Sequence, residues 1–407
     1  GGTAGRERLH ARNVLVVVQV ALALLLLVGA GLMVKSFWRL RGVDPGIDPR
    51  NLLTLRLNLP EAEYKEPQKV ARFVIQLLEK VRALPDVDSA GTSNLLPLTA
   101  GESNNGHVIE DFPLAPGEVP PILPTRWVSP GYFETMRIPL LQGRAFERIE
   151  AESLAQEAVV SQALAERFWP GRSPLGKRLA QGPGDDMQWA TIVGVVASSR
   201  DDGLHQKPVE AVYYPMQPQV SFGEARIPNS FTLVVRSGGD PMRLVAPVRD
   251  AVWSLDPNVP LAEVQPMEEV MERSMVRTTF TMFLLVIAGL VALVLGTVGI
   301  YAVISYVVSQ RTREIGVRMA LGAERRDITH MVLREGLGLT LVGIAVGLLT
   351  AFAATRLMVS LLFDVSPTDP LTFVAVPALL ALIALFACWI PARRAATVPP
   401  LEAIRNE

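Results

Sequence analysis

The chain has 407 residues, a net charge of −1, 49% hydrophobic and 19% charged residues, and a mean hydropathy of +0.29. That is too apolar for a water-soluble protein of this length and too charged for membrane helices alone, so composition calls for a few helices in lipid carrying a sizeable water-exposed part. The near-zero charge balance excludes a global basic field for nucleic acid, the single Cys388 excludes a disulfide framework or a cysteine-based metal site within the chain, and His10, His107, His205 and His330 offer no pair at ligand spacing.

The chain opens GGTAGRERLHAR without an initiator methionine, so residues 1–13 read as a cytoplasmic tail or linker of a fragment, a processed form or one half of something longer. Val14–Val34 is apolar except for Gln19. Its length as a helix, ~31 Å, matches the hydrocarbon core, and the basic residues before it fit a retained signal-anchor helix better than a cleaved signal peptide, whose apolar core is shorter. Lys35, Phe37, Trp38, Arg39 and Arg41 then form an interfacial collar.

Residues 43–277 contain no run long and apolar enough to cross a bilayer and read as a folded aqueous domain. Asn51–Leu59 alternates as a half-buried strand, Pro67–Leu84 carries the stripe of an amphipathic helix, and Val87–Ser93 is the next strand. The same strand-helix-strand pattern returns at Ser230–Arg236, at the helix capped by Asp240-Pro241, and at Leu261–Gln265. Two β-α-β units predict a ferredoxin-like α+β sandwich. Between them, at about residues 95–229, a Pro- and Gly-rich insertion predicts a second, mostly β subdomain, with strands at Ala158–Ser161, Thr191–Ala197 and Val209–Tyr214 and a helix at Gln162–Phe168.

Met267–Thr279 has a helical pattern that runs without a breaker into an uncharged stretch, residues 280–308, predicting a rigid stalk joined to a second span. Residues 309–331 form a charged loop, 332–355 a third span and 371–390 a fourth containing Pro377. Pro391-Ala392-Arg393-Arg394 is expected to end the last helix, leaving 391–407 as a tail. Ala288, Ala292 and Gly296 in the second span, and the GxxxG pair Gly343 and Gly347 in the third, are candidate helix-packing positions, because small residues let backbones approach in lipid. Arginines gather beside both termini and in the 309–331 loop, whereas Arg356–Pro370 offers Arg356 against Asp364 and Asp369. The positive-inside rule therefore predicts both termini inside and the aqueous domain outside; Lys35, Arg39 and Arg41 run against it.

Catalytic chemistry finds little support. GRSPLGKR at Gly171–Arg178 has the skeleton of a phosphate loop, but Arg178 stands where a magnesium-binding Ser or Thr is required. Neighbouring acids such as Asp185-Asp186 have no constellation around them, and the apolar stretches 14–34, 280–308, 336–355 and 371–390 hold no charged group with which to sense an ion gradient. No cofactor or metal is implied. The loop between the second and third spans is the remaining candidate. Glu314 and Arg318 suit an i,i+4 pair with Ile315 and Met319 on a neighbouring stripe, Gly322 would end the short helix, and Asp327 would begin the next. Pattern alone leaves open a solvated loop that touches only lipid head groups.

RTREIGVRMALGA at Arg311–Ala323 and PARRAATVPPLEAIRNE at Pro391–Glu407 resemble the two cytoplasmic signatures of FtsX-like/MacB-like ABC transporter permeases. Arg126–Phe146 and Val159–Leu179 resemble that family's periplasmic core domain, and the similarity covers nearly the whole chain. The resemblance implies a bacterial inner-membrane protein with a one-plus-three span arrangement. It implies a separate ATPase subunit that binds ATP and presses on the loop, and output by mechanotransmission to the periplasmic domains for efflux or export. Carried over residue by residue, the coupling positions are Arg311, Arg313, Glu314, Ile315, Gly316, Arg318 and Met319, where replacing Glu314 or Ile315 is expected to uncouple the loop without unfolding it. Further partners implied are a second permease unit, membrane lipid and a periplasmic adaptor. Family alternatives are lipoprotein release and the signalling or scaffold control of an envelope hydrolase. The opening residues also resemble the linker before the second half of a tandem-duplicated, acidobacterial-type permease.

Overall fold

A computed structural model describes residues 2–99, 101, 103–115, 117–182, 187–201, 203–221, 224–311, 314–315, 317–318 and 324–395. The chain divides into two compact units, Val43–Val276 and the segments on either side of it.

The flanking unit contains four helices long and apolar enough to span a membrane. They are α1 (Gly2–Arg41), α7 (Val276–Gln310), α8 (Arg325–Thr355) and α9 (Pro370–Ala395); five shorter helices, α2–α6, belong to the other unit. Val16, Val20, Leu24, Val28 and Leu32 recur along one face of α1, and that face is buried against Ile300 and Ile304 of α7, Ile344 and Ala351 of α8, and Leu380 and Ala384 of α9. Phe283, Ile287, Leu290 and Val294 of α7 point outward, as a lipid solvent requires. The collar after the first span finds specific partners. Lys35 pairs with Asp369 at 2.7 Å and Arg39 with Asp364 at 2.7 Å, so the acids of the 356–370 loop neutralise two of the three cations that run against the positive-inside rule.

Two local expectations fail. Pro391 does not end the last helix; α9 continues to Ala395. Proline forfeits one backbone hydrogen bond, but Ala387, Cys388 and Ala392 around it are buried in the bundle core and hold the helix on course. Nor does one rod run from Met267 into the second span. Helix α6 (Met267–Ser274) stops at Met275 and α7 starts anew at Val276. The Ser274 hydroxyl donates to the Met271 carbonyl at 2.7 Å, the acceptor the Met275 amide would need, and Met275 N–H turns to Glu272 O instead at 3.0 Å.

In the Val43–Val276 unit, β1 (Leu52–Asn58), β2 (Val87–Ser93), β12 (Ser230–Ser237) and β13 (Leu261–Pro266) lie in the order β13-β1-β12-β2, all antiparallel. With α2 (Pro67–Arg82) and α5 (Val245–Trp253) on one face this is the ferredoxin-like arrangement. Leu53, Leu55 and Leu57 of β1 meet Val70, Val74, Leu77 and Val81 of α2 and Val248 and Val252 of α5 in a single core. The insertion follows β2. It holds β3 (Asn104–Ile109), β4 (Ile122–Val128), β5 (Leu140–Gly143), β6 (Glu157–Ser161), β7 (Arg178–Gln181), β8 (Trp189–Val196) and β9 (Val212–Pro215), with α3 (Tyr132–Met136), α4 (Gln162–Phe168) and a small hairpin of β10 (Gln219–Ser221) and β11 (Glu224–Arg226). Its β4 pairs with β2 at Ser93 and Val128, so the insertion extends the ferredoxin-like sheet to eleven strands rather than forming a separate one.

Buried polar groups pin the insertion. Arg126 and Asp201 form an ion pair almost wholly out of water, and Arg126 also donates to Ser103 O and Thr125 O. Beside them, burial pushes the Tyr213 hydroxyl up to about 12. His107 stacks on Tyr214, its Nδ1 lies 2.9 Å from Asn105 O, and burial pushes its pKa down to about 4, so it is held neutral.

Candidate functional site: the elbow between the second and third spans

Among the described residues of the loop, Glu314, Ile315, Val317 and Arg318 are helical. Ile315 is 3% exposed and packs on Ile328 of α8, with Val308 of α7 and Met331 of α8 alongside. The short helix is thus seated in the angle between the two spans. Arg311, at the end of α7, reaches Glu335 of α8 at 3.0 Å and ties one span to the other across this seat. Glu314 and Arg318 pair at 2.6 Å on the outer side, and Val317 beside them is 43% exposed. The start of α8 is fixed by a capping box, in which the Glu324 side chain accepts from the Asp327 amide and Asp327 from the Glu324 amide at 3.2 Å. At the same end of the bundle, Arg12 of α1 lies over the Tyr306 ring of α7, 3.9 Å from its centre, and Gln310 donates to the Tyr306 hydroxyl at 2.8 Å.

This geometry separates two kinds of residue that the sequence grouped together. Arg311 and Ile315 face the spans and hold the elbow, whereas Glu314, Val317 and Arg318 form its exposed face, from which Arg318 also reaches Met331 Sδ of α8 at 2.9 Å. Of the coupling positions, Ile315 is turned inward to the spans and Glu314 is exposed. Arg313, Gly316, Met319 and Gly322 lie outside the described residues.

The small residues of the spans also divide. A Cβ on Gly343 would lie 2.7 Å from the Val20 side chain, and one on Gly347 3.0 Å from Ala21 Cα and Leu24 Cβ, so α8 crosses α1 at this pair. On α7, Ala292 packs against the bundle core and Ala288 is half-buried, while Gly296 has nothing within 4 Å of its would-be Cβ. The close approaches of α7 to α1 come instead at Gly289, facing Leu27, and Gly299, facing the Gln19 amide. Their signal was available, since Gly289, Gly296 and Gly299 share one helical face, but the alanines drew the stripe one residue aside.

Elsewhere, Lys177 of the Gly171–Arg178 loop pairs with Asp111 at 2.9 Å and Arg178 with Glu110, so the two cations at its end are engaged by acids. No cluster of three potential metal ligands exists among the described residues.

Residues 15–251 match the family described as MacB-like periplasmic core domain, and residues 286–400 the one described as FtsX-like permease C-terminal. The chain belongs to the MacB-like, FtsX-like permease family. The permease is 26% identical over 289 residues to the macrolide export ATP-binding/permease protein MacB of Chromobacterium violaceum, covering 69% of this chain and 43% of that protein. It is 27% identical over 277 residues to the MacB of Marinobacter nauticus, covering 66% and 41%. The permease thus spans about two fifths of the length of these curated relatives. The crystal structure of the periplasmic region of MacB from Actinobacillus actinomycetemcomitans is matched over 59% of this chain and 97% of that one, at 14% identity and a TM-score of 0.35. Four apolar helices with an α+β domain of the periplasmic core type are the architecture of this permease.

Proposed function

We propose that the chain is the permease part of an ABC exporter, with its elbow and both termini in the cytoplasm and the Val43–Val276 unit in the periplasm of a bacterial inner membrane. An ATP-hydrolysing partner docks on the exposed face of Glu314, Val317 and Arg318, and its closure on ATP displaces the elbow. The observation that carries this reading is the seating of Ile315 between α7 and α8, locked by Arg311 and Glu335. A push on the exposed face is delivered to both spans at once, because neither can keep its contacts if the elbow moves alone. The apolar stretches 14–34, 280–308, 336–355 and 371–390 carry no charge, so substrate handling falls to the periplasmic unit and the spans transmit force. A second permease unit completes the assembly, and ATP is bound by the partner. The names of the relatives join ATP-binding and permease functions and supply the substrate class tested first, macrolides.

The test is reconstitution in proteoliposomes with the ABC ATPase encoded beside the permease. ATP turnover is expected to change when the permease is present, and to return towards the level of the ATPase alone when Glu314 and Arg318 are both replaced by alanine. Turnover indifferent to the permease, or a membrane-impermeant maleimide reaching a cysteine placed at Val317 from the periplasmic side of intact cells, overturns the proposal.

A further inference from the structure

The ferredoxin-like sheet carries its helices on one face only. Leu53, Leu55 and Leu57 point toward α2 and α5, so the two-residue period sends Thr54 and Arg56 to the opposite face. There, with Thr232 of β12 and Gln265 of β13, they floor a cavity of about 960 Å³. Its apolar wall is built by Leu95, Leu96 and Leu98, from the segment after β2, and by Val270 of α6. This volume lies at the upper end of the ~300–1,000 Å³ typical of small-molecule sites, and the pairing of an apolar wall with a few polar groups is their usual make-up.

Arg56 distinguishes this cavity from an incidental crevice. It is half-buried, yet its side chain makes no hydrogen bond, ion pair or ring contact among the described residues. The two most buried arginines of the unit are fully engaged: Arg126 with Asp201, and Arg236 with the carbonyls of Thr135, Arg50 and Asp48 at 2.6–2.7 Å. A lining arginine to which no described residue offers an acceptor can give its five N–H groups to an anion. A second feature marks the same place. Opposite Arg56, β13 slips its register against β1, and Glu263 at the slip holds φ +48. A non-glycine residue in the left-handed region beside a cavity is strain of the kind that ligand sites retain. Glu263 is exposed and forms no ion pair with Arg56, and Arg273, the other cation of the lining with a fixed charge, is already paired with Glu269 at 2.7 Å.

We infer that this cavity binds an amphipathic small molecule with an anionic head group, a carboxylate or a phosphate. The head pairs with Arg56, and the apolar body lies along Leu95, Leu96 and Leu98. The inference is independent of the elbow and of any ATPase.

The test uses the full chain in nanodiscs, with octanoate and octyl phosphate as probes, octylamine and octanol as controls, and empty nanodiscs to subtract partitioning into lipid. Saturable one-to-one binding of at least one anionic probe is expected, weakened at least about tenfold by Arg56→Gln. Asn229→Trp, which fills the cavity from its lining, should block binding while leaving the melting temperature within a few degrees of wild type. Equal affinity in wild type and Arg56→Gln, saturable octylamine binding as tight as that of octanoate, or no saturable binding of either anion overturns it. A preference between the two anionic probes identifies the head group.

Discussion

Replacing Ile315 by alanine tests the seating of the elbow directly. The side chain is 3% exposed and rests on Ile328, Val308 and Met331. Truncating a fully enclosed isoleucine to alanine costs ~2–5 kcal/mol. The nest around Ile315 is a small one with half-buried flanks, so the lower end, about 2 kcal/mol, applies here. That is a factor of roughly 30 in the population of the undocked elbow. Glu314→Ala removes only an exposed i,i+4 pair worth ~0.3–0.5 kcal/mol, roughly a factor of two. Amide hydrogen exchange of the chain in nanodiscs reads both. Exchange across Glu314–Arg318 should accelerate roughly thirtyfold in Ile315→Ala and about twofold in Glu314→Ala, with α8 beyond Val332 unchanged in either. Wild-type exchange in Ile315→Ala would refute the seating, and equal acceleration in both variants would move its origin to the ion pair.

Three further outcomes are expected. His107 keeps a folded pKa of about 4 against ~6.5 unfolded, so as pH falls from ~6.5 to ~4 the unfolded chain takes up its proton first and stability declines by about 3 kcal/mol; His107→Gln should abolish that part of the pH dependence in fluorescence-monitored denaturation, and an unchanged slope would discount it. Arg126→Met strands the Asp201 carboxylate and should destabilise the Val43–Val276 unit by ~3–5 kcal/mol in urea titrations, with most of the loss recovered when Asp201→Leu is added; equal losses in the single and double variants would contradict this. Gly347→Ala should lower the melting temperature in detergent by driving α8 off Ala21 and Leu24, whereas Gly296→Ala, whose Cβ meets nothing within 4 Å, should be tolerated; the reverse order would mean the helices cross elsewhere.

The four spans were legible because runs of twenty or more apolar residues have few other uses, and the ferredoxin-like half because two β-α-β units with clear periods fix their own pairing. The continuity of the eleven-stranded sheet was not. It depends on Ser93 meeting Val128, a non-local contact without local pattern, and on β3, β4 and β7, which are short and interrupted by Gly, Pro or charged residues. The break at Met275 turns on one serine hydroxyl competing for a carbonyl, which no hydrophobic period records. At the elbow, the charge pair of Glu314 and Arg318 could be read from spacing. The inward direction of Ile315 could not, because it depends on where α7 and α8 converge, which spacing within the loop does not record. The unpaired state of Arg56 was likewise hidden, since a strand sequence does not reveal which of its charges will find partners.

The clasp of Lys35 with Asp369 and Arg39 with Asp364 has an electrical consequence. By cancelling two of the cations at one end of the bundle, it leaves more of the net positive charge at the other, where Arg311, Arg318, Arg325, Arg326, Arg334, Arg393 and Arg394 outnumber Glu314, Glu324, Asp327 and Glu335. Across an energised bilayer each uncompensated charge is worth ~2.3 kcal/mol per 100 mV. The resting voltage therefore acts on the bundle as on a compass needle, and stripping the clasp of its two acids would weaken its preference for one heading.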